Sequence, residues 1–312
     1  MSEKLEAYHQ HRESPYAQKF GRVITAMVTP FRPDGRVHWE NASSLARHLL
    51  ESGSDSLAIA GTTSESATLS HEEQHELFWR IRGATTDTIL AGTGSNSTDE
   101  AVSLSRYVTQ RNLADGLLVV SPYYNRPSQY GIEEYFHAIA DETNLPIIMY
   151  NIPGRTGRAI EHDTIVRLAQ NHTNIIGLKD AGGSTADIHD LLRRGDLPED
   201  FVVYSGDDGR NLELAEVGAV GAISVASHWI GNRMQSMYDA LDHGDYEAAR
   251  AMNEMLQPHY LYESYDDAPN PIPTKTLLHE AQIIESAHTR PPMSVAPEVR
   301  QALGVRARQL LQ

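Results

Sequence analysis

Eight short apolar runs recur along this chain, and each is followed by a segment with helical periodicity. Strands of a parallel sheet are covered by helices on both faces, so they are apolar throughout rather than alternating. The runs are spaced at about the length of one strand–helix unit. They span residues 23–30, 56–61, 88–93, 116–122, 146–151, 175–180, 201–207 and 221–227. Eight repeats favour a closed barrel over an open sheet, so the predicted fold class is α/β, a (β/α)8 TIM barrel.

Helix starts are predicted between these runs. Ser70 followed by Glu73 forms the pattern of a capping box. Thr98 opens a similar segment, and a further helix is predicted to start at Gly131. No G-x-G-x-x-G follows the first run, which argues against a dinucleotide-binding sheet.

Three parts of the chain are predicted. Residues 1–20 are polar and form an N-terminal extension in which some disorder is expected. Residues 21–230 form the barrel, and residues 231–312 form a C-terminal helical appendage. Its helices are expected at about 231–243, 246–257, 274–282 and 296–311. No stretch is rich enough in Gly, Ser or Pro to separate independent domains.

Composition excludes several classes of function. A formal charge of −16 argues against nucleic-acid binding. The absence of cysteine excludes disulfides and thiolate metal sites. No run approaches the ~20 apolar residues of a membrane span, and no signal peptide is recognisable, so a cytoplasmic location is expected. No carboxylate–histidine cluster has metal-ligand spacing, and no metal is expected.

Barrel enzymes carry their active sites at the carboxyl ends of the strands, and Lys179 ends the sixth run. The chain has four lysines against 22 arginines, so a lysine in an apolar strand is conspicuous. Burial would lower the pKa of its amine and make the amine a nucleophile toward a carbonyl. The alternatives are a lysine paired with Asp180 or another carboxylate, and a phosphate-binding lysine.

Other strand-end residues suit the same chemistry. Tyr150 could move protons beside such a lysine, or could be a rim aromatic. Thr62 and Thr63 could hold a small carboxylate, or could cap a helix. Arg155 offers a forked donor for a second carboxylate, although surface arginines are common here.

Six motifs in order carry a family resemblance. GTTSES, SPYYNRPSQ, YNIPGRTG, GLKDA, YSGDD and NPIPTK resemble the dihydrodipicolinate synthases, over about residues 20 to 285. These are pyruvate-dependent class I aldolases, a family that also contains N-acetylneuraminate lyase. The resemblance implies a lyase of lysine and diaminopimelate biosynthesis that condenses pyruvate, as an imine on Lys179, with L-aspartate 4-semialdehyde. It implies no dissociable cofactor.

The resemblance also assigns roles. Thr63, Tyr124 and Tyr150 would relay protons, with Tyr124 reaching in from a neighbouring subunit of a tetramer built from two tight dimers. Thr62 and Thr63 would hold the pyruvate carboxylate, and Arg155 the semialdehyde carboxylate. The backbone carbonyls of Gly206 and Ile223 would line the pocket.

The resemblance also extends to a site for an inhibitor, and the chain differs from the family at one position of the GTTSES turn. The residues that match an inhibitory L-lysine site of the family are Ser66, Ala67, His71, Asn96, Glu100 and Tyr123. Ser64 stands where the family has a glycine, so the turn either needs φ < 0 there or strains the serine.

Two alternative functions are carried forward. The first is another pyruvate lyase of the same family, of the N-acetylneuraminate or 2-keto-3-deoxygluconate type; Arg155 argues against it, because a polyhydroxylated aldehyde offers no such carboxylate. The second is a non-catalytic barrel that binds a keto acid.

Overall fold

The computed structural model of the chain describes residues 5–312, and the eight apolar runs within them form eight parallel strands. The strands pair in sequence order, and the first closes against the last, which confirms the predicted barrel. They are β1 Val23–Ala26, β2 Ser56–Ile59, β3 Thr88–Gly92, β4 Gly116–Val120, β5 Ile147–Asn151, β6 Ile175–Asp180, β7 Val202–Ser205 and β8 Gly221–Ser224.

Helices surround the barrel and continue beyond it. They are α1 Glu6–Arg12, α2 Pro15–Phe20, α3 Trp39–Glu51, α4 His71–Ala84, α5 Thr98–Gln110, α6 Gln129–Ala140, α7 Pro153–Thr156, α8 His162–Asn171, α9 Thr185–Arg193, α10 Asn211–Glu216, α11 Ser227–Asp242, α12 Tyr246–Tyr260, α13 Ile272–Glu280 and α14 Pro297–Leu310. Among the described residues, no helix combines the length and the hydrophobicity needed to cross a bilayer.

Helix starts follow side-chain caps, as the sequence predicts for α4. The Glu73 amide donates to Ser70 Oγ at 3.2 Å and the Ser70 amide donates to the Glu73 carboxylate at 3.0 Å, which closes the capping box. Helix α5 starts at Thr98, as predicted, whereas α6 starts at Gln129, two residues before the predicted Gly131. Helix α5 is capped by Ser97, and α6 by Ser128, because those hydroxyls accept the amide at the third helical position.

Some disorder is expected for the N-terminal extension, but its residues 5–20 are largely helical in the structure. They form α1 and α2, and Phe20 is fully buried among the side chains inside the barrel. A Cβ atom added to Gly116 of β4 would lie 2.8 Å from the Phe20 ring. Helix α2 therefore closes the amino end of the barrel. Residues 1–4 of the predicted extension lie outside the described residues.

The C-terminal residues form helices close to the predicted positions, and they pack back against the carboxyl end of the barrel. The predicted boundary at 230/231 falls inside α11, at Ile230, where the backbone leaves helical geometry (φ −128°, ψ 20°). Helices α13 and α14 pack on each other and share an apolar cluster with Tyr262 and Ala268. The appendage thus supplies part of the rim above the strands.

Candidate active site

A cavity of about 180 Å³ opens at the carboxyl ends of the strands. It brings together Lys179, Tyr150, Thr62, Thr63, Arg155 and Gly206, all of which the sequence placed at one site. Residues from the appendage complete it: Glu263, Ser264 and Asn270.

Lys179 lies at the base of this cavity and is 5% exposed. Within the sheet it lies in register between Tyr150 on β5 and Tyr204 on β7. Its Nζ atom is 4.4 Å from the centroid of the Tyr150 ring. Burial lowers the pKa of the Lys179 amine to about 8, although the charges of Asp208 and Glu263 oppose this effect. On the order of a tenth of the amine is therefore neutral at pH 7, far more than for an exposed lysine.

Tyr150 is a neutral phenol in this setting. Burial raises its pKa to about 12, against the opposing effects of Arg155 and of a hydrogen bond with the Thr62 side chain. A phenol that keeps its proton and touches a second hydroxyl can both donate and accept protons. It lies directly beside the Lys179 nitrogen.

The Gly61–Thr62–Thr63–Ser64 turn is held from two sides. The Asn270 amide donates to Thr63 Oγ1 at 2.9 Å. Ser64 Oγ donates to the Met27 carbonyl at 2.5 Å, and Ser64 is 1% exposed. The positive φ in this turn falls on Glu65 (φ 56°) and not on Ser64. The serine is therefore accommodated without left-handed geometry, and its hydroxyl ties the turn to the end of β1.

A buried ion pair lies beneath that turn and was not predicted. Lys275 Nζ donates to Glu65 Oε1 at 2.5 Å and to the His288 carbonyl at 3.1 Å, and both side chains are essentially inaccessible. The Arg290 amide donates to the other Glu65 oxygen at 3.0 Å. Nothing local in the sequence joins positions 65 and 275, which are far apart in the chain.

Of the two residues whose carbonyls were predicted to line the pocket, Gly206 lines the cavity and Ile223 does not. A Cβ atom on Gly206 would lie 2.9 Å from Lys179 Cε, so only glycine leaves room for the lysine. Ile223 is buried in the cluster inside the barrel and is not among the residues that line the cavity, whereas Val225 is. The cavity is therefore lined by a residue just after β8, two positions beyond the predicted Ile223.

Arg155 and Tyr124 lie further out. Arg155, on the short helix α7, lines both this cavity and an adjoining one of about 400 Å³. Tyr124 is 88% exposed, has a left-handed backbone (φ 73°), and is not among the lining residues of either cavity. Within one chain, Tyr124 thus remains apart from Lys179.

Asp207 also lines the cavity, and Asp208 and His228 are buried. The doublet in YSGDD marks the two aspartates in the sequence, but gives no indication that Asp208 is buried. Fully buried His228 accepts the Val28 amide on Nε2 at 3.1 Å, so Nδ1 donates to the Val225 carbonyl at 2.7 Å. Burial lowers its pKa to about 4, and the neutral ring joins the ends of two barrel segments.

The predicted lysine-binding residues largely converge on a separate cavity of about 350 Å³. Ser66, Ala67, His71, Glu100 and Tyr123 line it. Asn96 does not; its carbonyl accepts the Asn125 side-chain amide at 3.0 Å. Within residues 5–312, no three His, Asp or Glu side chains are grouped so that they could hold a metal ion.

The chain is similar to known proteins over most of its length. The dihydrodipicolinate synthetase family matches residues 19–309. The 4-hydroxy-tetrahydrodipicolinate synthase of Prochlorococcus marinus (strain MIT 9211) is 47% identical over 83% of this chain and 85% of its own. The crystal structure of the Cyanidioschyzon merolae enzyme with lysine bound is 40% identical, with a TM-score of 0.86 over 92% of this chain and 97% of its own. Bacillus anthracis dihydrodipicolinate synthase is 37% identical, also with a TM-score of 0.86, over 93% and 98% of the two chains.

Proposed function

Because the chain belongs to the dihydrodipicolinate synthetase family, we propose that it is a 4-hydroxy-tetrahydrodipicolinate synthase, a lyase that joins pyruvate to L-aspartate 4-semialdehyde. One observation carries the chemistry: a buried lysine with a lowered pKa lies against a buried phenol. That arrangement supplies both the nucleophile and the proton carrier that a Schiff-base mechanism requires.

The first steps activate pyruvate. The neutral Lys179 amine forms a bond to the ketone carbon, and the carbonyl oxygen leaves as water after it gains protons through Tyr150 and Thr63. Loss of a proton from the methyl group converts the cationic imine to a neutral enamine. The hydroxyls and amides of Thr62 and Thr63 hold the pyruvate carboxylate during these steps.

The later steps build the product. The enamine carbon bonds to the aldehyde carbon of the semialdehyde, whose oxygen takes up a proton. The amino group of that substrate then attacks the imine carbon and displaces Lys179, which closes the ring and frees the enzyme. The cationic imine formed on Lys179 serves as the electron sink, so the proposed reaction needs no dissociable cofactor.

Arg155 is proposed to select the second substrate. It lies at the lip of the Lys179 cavity, where a guanidinium can bind a carboxylate through two hydrogen bonds. Arg155→Ala should lower kcat/KM for aspartate semialdehyde by about 100-fold or more, in line with the loss of a charged hydrogen-bond pair. Imine formation with pyruvate should survive.

The matched control is Arg158→Ala, an exposed arginine of the same loop that lines neither cavity. Its kinetics should stay at the wild-type level. N-Acetylmannosamine and glyceraldehyde should be poor partners for the wild-type enzyme. Faster turnover with either of them would favour the alternative lyase function, and equal loss of imine formation in Arg155→Ala would contradict its assigned role.

The 350 Å³ cavity is proposed to bind L-lysine as a feedback inhibitor. His71, Glu100 and Tyr123 give it charged and polar groups for both ends of an amino acid. The Cyanidioschyzon merolae structure with lysine bound supports this proposal. Saturating L-lysine should reduce turnover of the wild-type enzyme, and the reduction should be smaller in Glu100→Gln. Wild-type turnover that lysine does not change would contradict the proposal.

A further inference from the structure

Asn270 is a polar side chain of the Lys179 cavity that the proposed reaction steps do not use. It lies just before α13 and lines both the cavity of about 180 Å³ and the adjoining one of about 400 Å³. Its side-chain amide donates to Thr63 Oγ1 at 2.9 Å. Because positions 63 and 270 are far apart in the chain, this hydrogen bond is a product of the fold and not of a local turn.

The segment that carries Asn270 is fixed against the turn that carries Thr63. Lys275, on α13, is buried and donates to Glu65 Oε1 at 2.5 Å. Glu65 belongs to the same turn as Thr63. The turn and the start of α13 are therefore joined by two contacts, and the Asn270 amide is held in place beside the Thr63 hydroxyl.

The hydrogen bond fixes the direction in which the Thr63 hydroxyl can donate. A hydroxyl has one proton and two acceptor sites, whereas the nitrogen of an asparagine amide only donates. Thr63 Oγ1 accepts from Asn270, so its own proton must point elsewhere. Within residues 5–312 Asn270 is the only hydrogen-bond partner of that oxygen, and Thr63 lines the cavity that holds Lys179. The proton is thus available to an acceptor bound in the cavity.

We propose that Asn270 is a positioning residue for pyruvate: by donating to Thr63 Oγ1, it leaves the Thr63 proton for the pyruvate carboxylate. A carboxylate only accepts hydrogen bonds, so the hydroxyl that binds it must have its proton free. Asn270 secures this through Thr63 and without touching pyruvate. The inference rests on the proposed Schiff-base function, and it names the group that prepares the carboxylate contact of Thr63.

The other end of the Asn270 amide indicates why an amide suits this position better than a carboxylate. Its Oδ1 atom is inaccessible to solvent and has no hydrogen-bond partner among residues 5–312. In Asn270→Asp the buried carboxylate would therefore find no other donor and would draw the Thr63 proton toward itself. The Thr63 hydroxyl would then no longer donate to pyruvate.

The test is the pyruvate dependence of imine trapping in the full-length protein. The adduct that borohydride fixes on Lys179 is measured over a range of pyruvate concentrations. Asn270→Ala should raise the half-saturating concentration about 5-fold, within the range expected for one hydrogen bond, and Asn270→Asp should raise it further. In steady-state turnover the KM for pyruvate should rise likewise, whereas the KM for aspartate semialdehyde should stay the same.

A double-mutant cycle shows whether the effect passes through Thr63. Thr63→Val removes the hydroxyl that Asn270 orients, so adding Asn270→Ala to it should cause no further rise in the half-saturating concentration. A further rise of the same size in the Thr63→Val background would overturn the proposal, because a merely structural role of Asn270 does not depend on the Thr63 hydroxyl. A rise confined to the KM for aspartate semialdehyde would overturn it as well.

The matched control is Asp266→Ala, at an exposed position of the same segment that lines neither cavity. Its pyruvate dependence should coincide with that of the wild type. An Asn270→Ala curve that coincides with the control would overturn the role of Asn270 while leaving the Schiff base intact. If Asn270→Ala does not fold, an unchanged curve in Asn270→Asp would overturn it instead. If pyruvate is not trapped on the wild type at any concentration, the proposed function itself fails.

Discussion

At the scale of single residues, two side chains of the same type can differ in chemistry because their surroundings differ. Lys179 and Lys275 are both buried, and burial lowers the pKa of each amine to about 8. Lys275, however, donates to Glu65 and to a backbone carbonyl, whereas Lys179 faces a cavity. Only the lysine that faces open space can attack a substrate.

Tyr150 and Tyr204 provide a second contrast at this scale. Tyr150→Phe keeps the ring beside Lys179 but removes the proposed proton carrier, so kcat should fall by about 10²- to 10⁴-fold, the usual contribution of acid–base catalysis. The matched control is Tyr204→Phe, whose lost hydroxyl donates to the Gly21 carbonyl at 3.1 Å. It should cost about 1 kcal/mol of stability with near-normal kcat. Steady-state kinetics and thermal unfolding separate the two, and a fully active Tyr150→Phe would refute the relay.

At the scale of elements, the strands were predictable because burial on both faces leaves a continuous apolar run. Lys179, Tyr150 and Arg155 were predictable because strand ends converge in this fold. The positions of two other segments could not be predicted from such local patterns. Helix α2 buries Ala17 and Phe20 in the amino end of the barrel, although residues 1–20 look like a polar tail. The segment around Glu263 reaches the cavity through long-range packing, for which no periodicity exists.

The GTTSES turn and α13 form one such long-range unit through the Glu65–Lys275 pair. Lys275→Met should destabilise the protein by about 3–5 kcal/mol, because it leaves the Glu65 carboxylate buried and unpaired. Loosening that turn should also raise the KM for pyruvate. In the double variant with Glu65→Gln much of the stability should return.

Denaturant unfolding of both single variants and the double variant measures this coupling. The control is Arg308→Ala, which removes a more exposed ion pair with Glu280 and should cost about 1 kcal/mol or less. If the changes in the free energy of unfolding of Lys275→Met and Glu65→Gln simply add in the double variant, the two residues do not act as a unit.

At the scale of the whole molecule, Tyr124 points to assembly. Its side chain is 88% exposed on a left-handed backbone, and only its backbone amide is anchored, to the Thr156 carbonyl at 3.3 Å, among the hydrogen bonds of the described residues. We infer that it enters the active site of a neighbouring subunit, in a tetramer built from two tight dimers. The neighbouring subunit would then supply Tyr124 to the proton relay, because the Tyr124 of the same chain lies outside that chain's own cavity.

Mixed assemblies test this inference. Tyr124→Phe and Lys179→Ala should each be nearly inactive alone. Coexpressed, they should regain activity, because one site of a mixed dimer then holds both native residues. The control pairs Lys179→Ala with Tyr130→Phe, another exposed tyrosine, which should be active without mixing. If coexpression restores nothing while sedimentation shows mixed dimers, Tyr124 does not act across the interface.

The most direct test of the central claim is to find which lysine pyruvate modifies. The wild-type protein is reduced with borohydride in the presence of pyruvate, digested and analysed by mass spectrometry. The pyruvate-derived adduct should lie on Lys179, and its rate of formation should rise with pH through about 8, where half of the amine is neutral, and level off at higher pH. An adduct on Lys275 instead, or no adduct at any pH, would contradict the assignment of Lys179 as the Schiff-base residue.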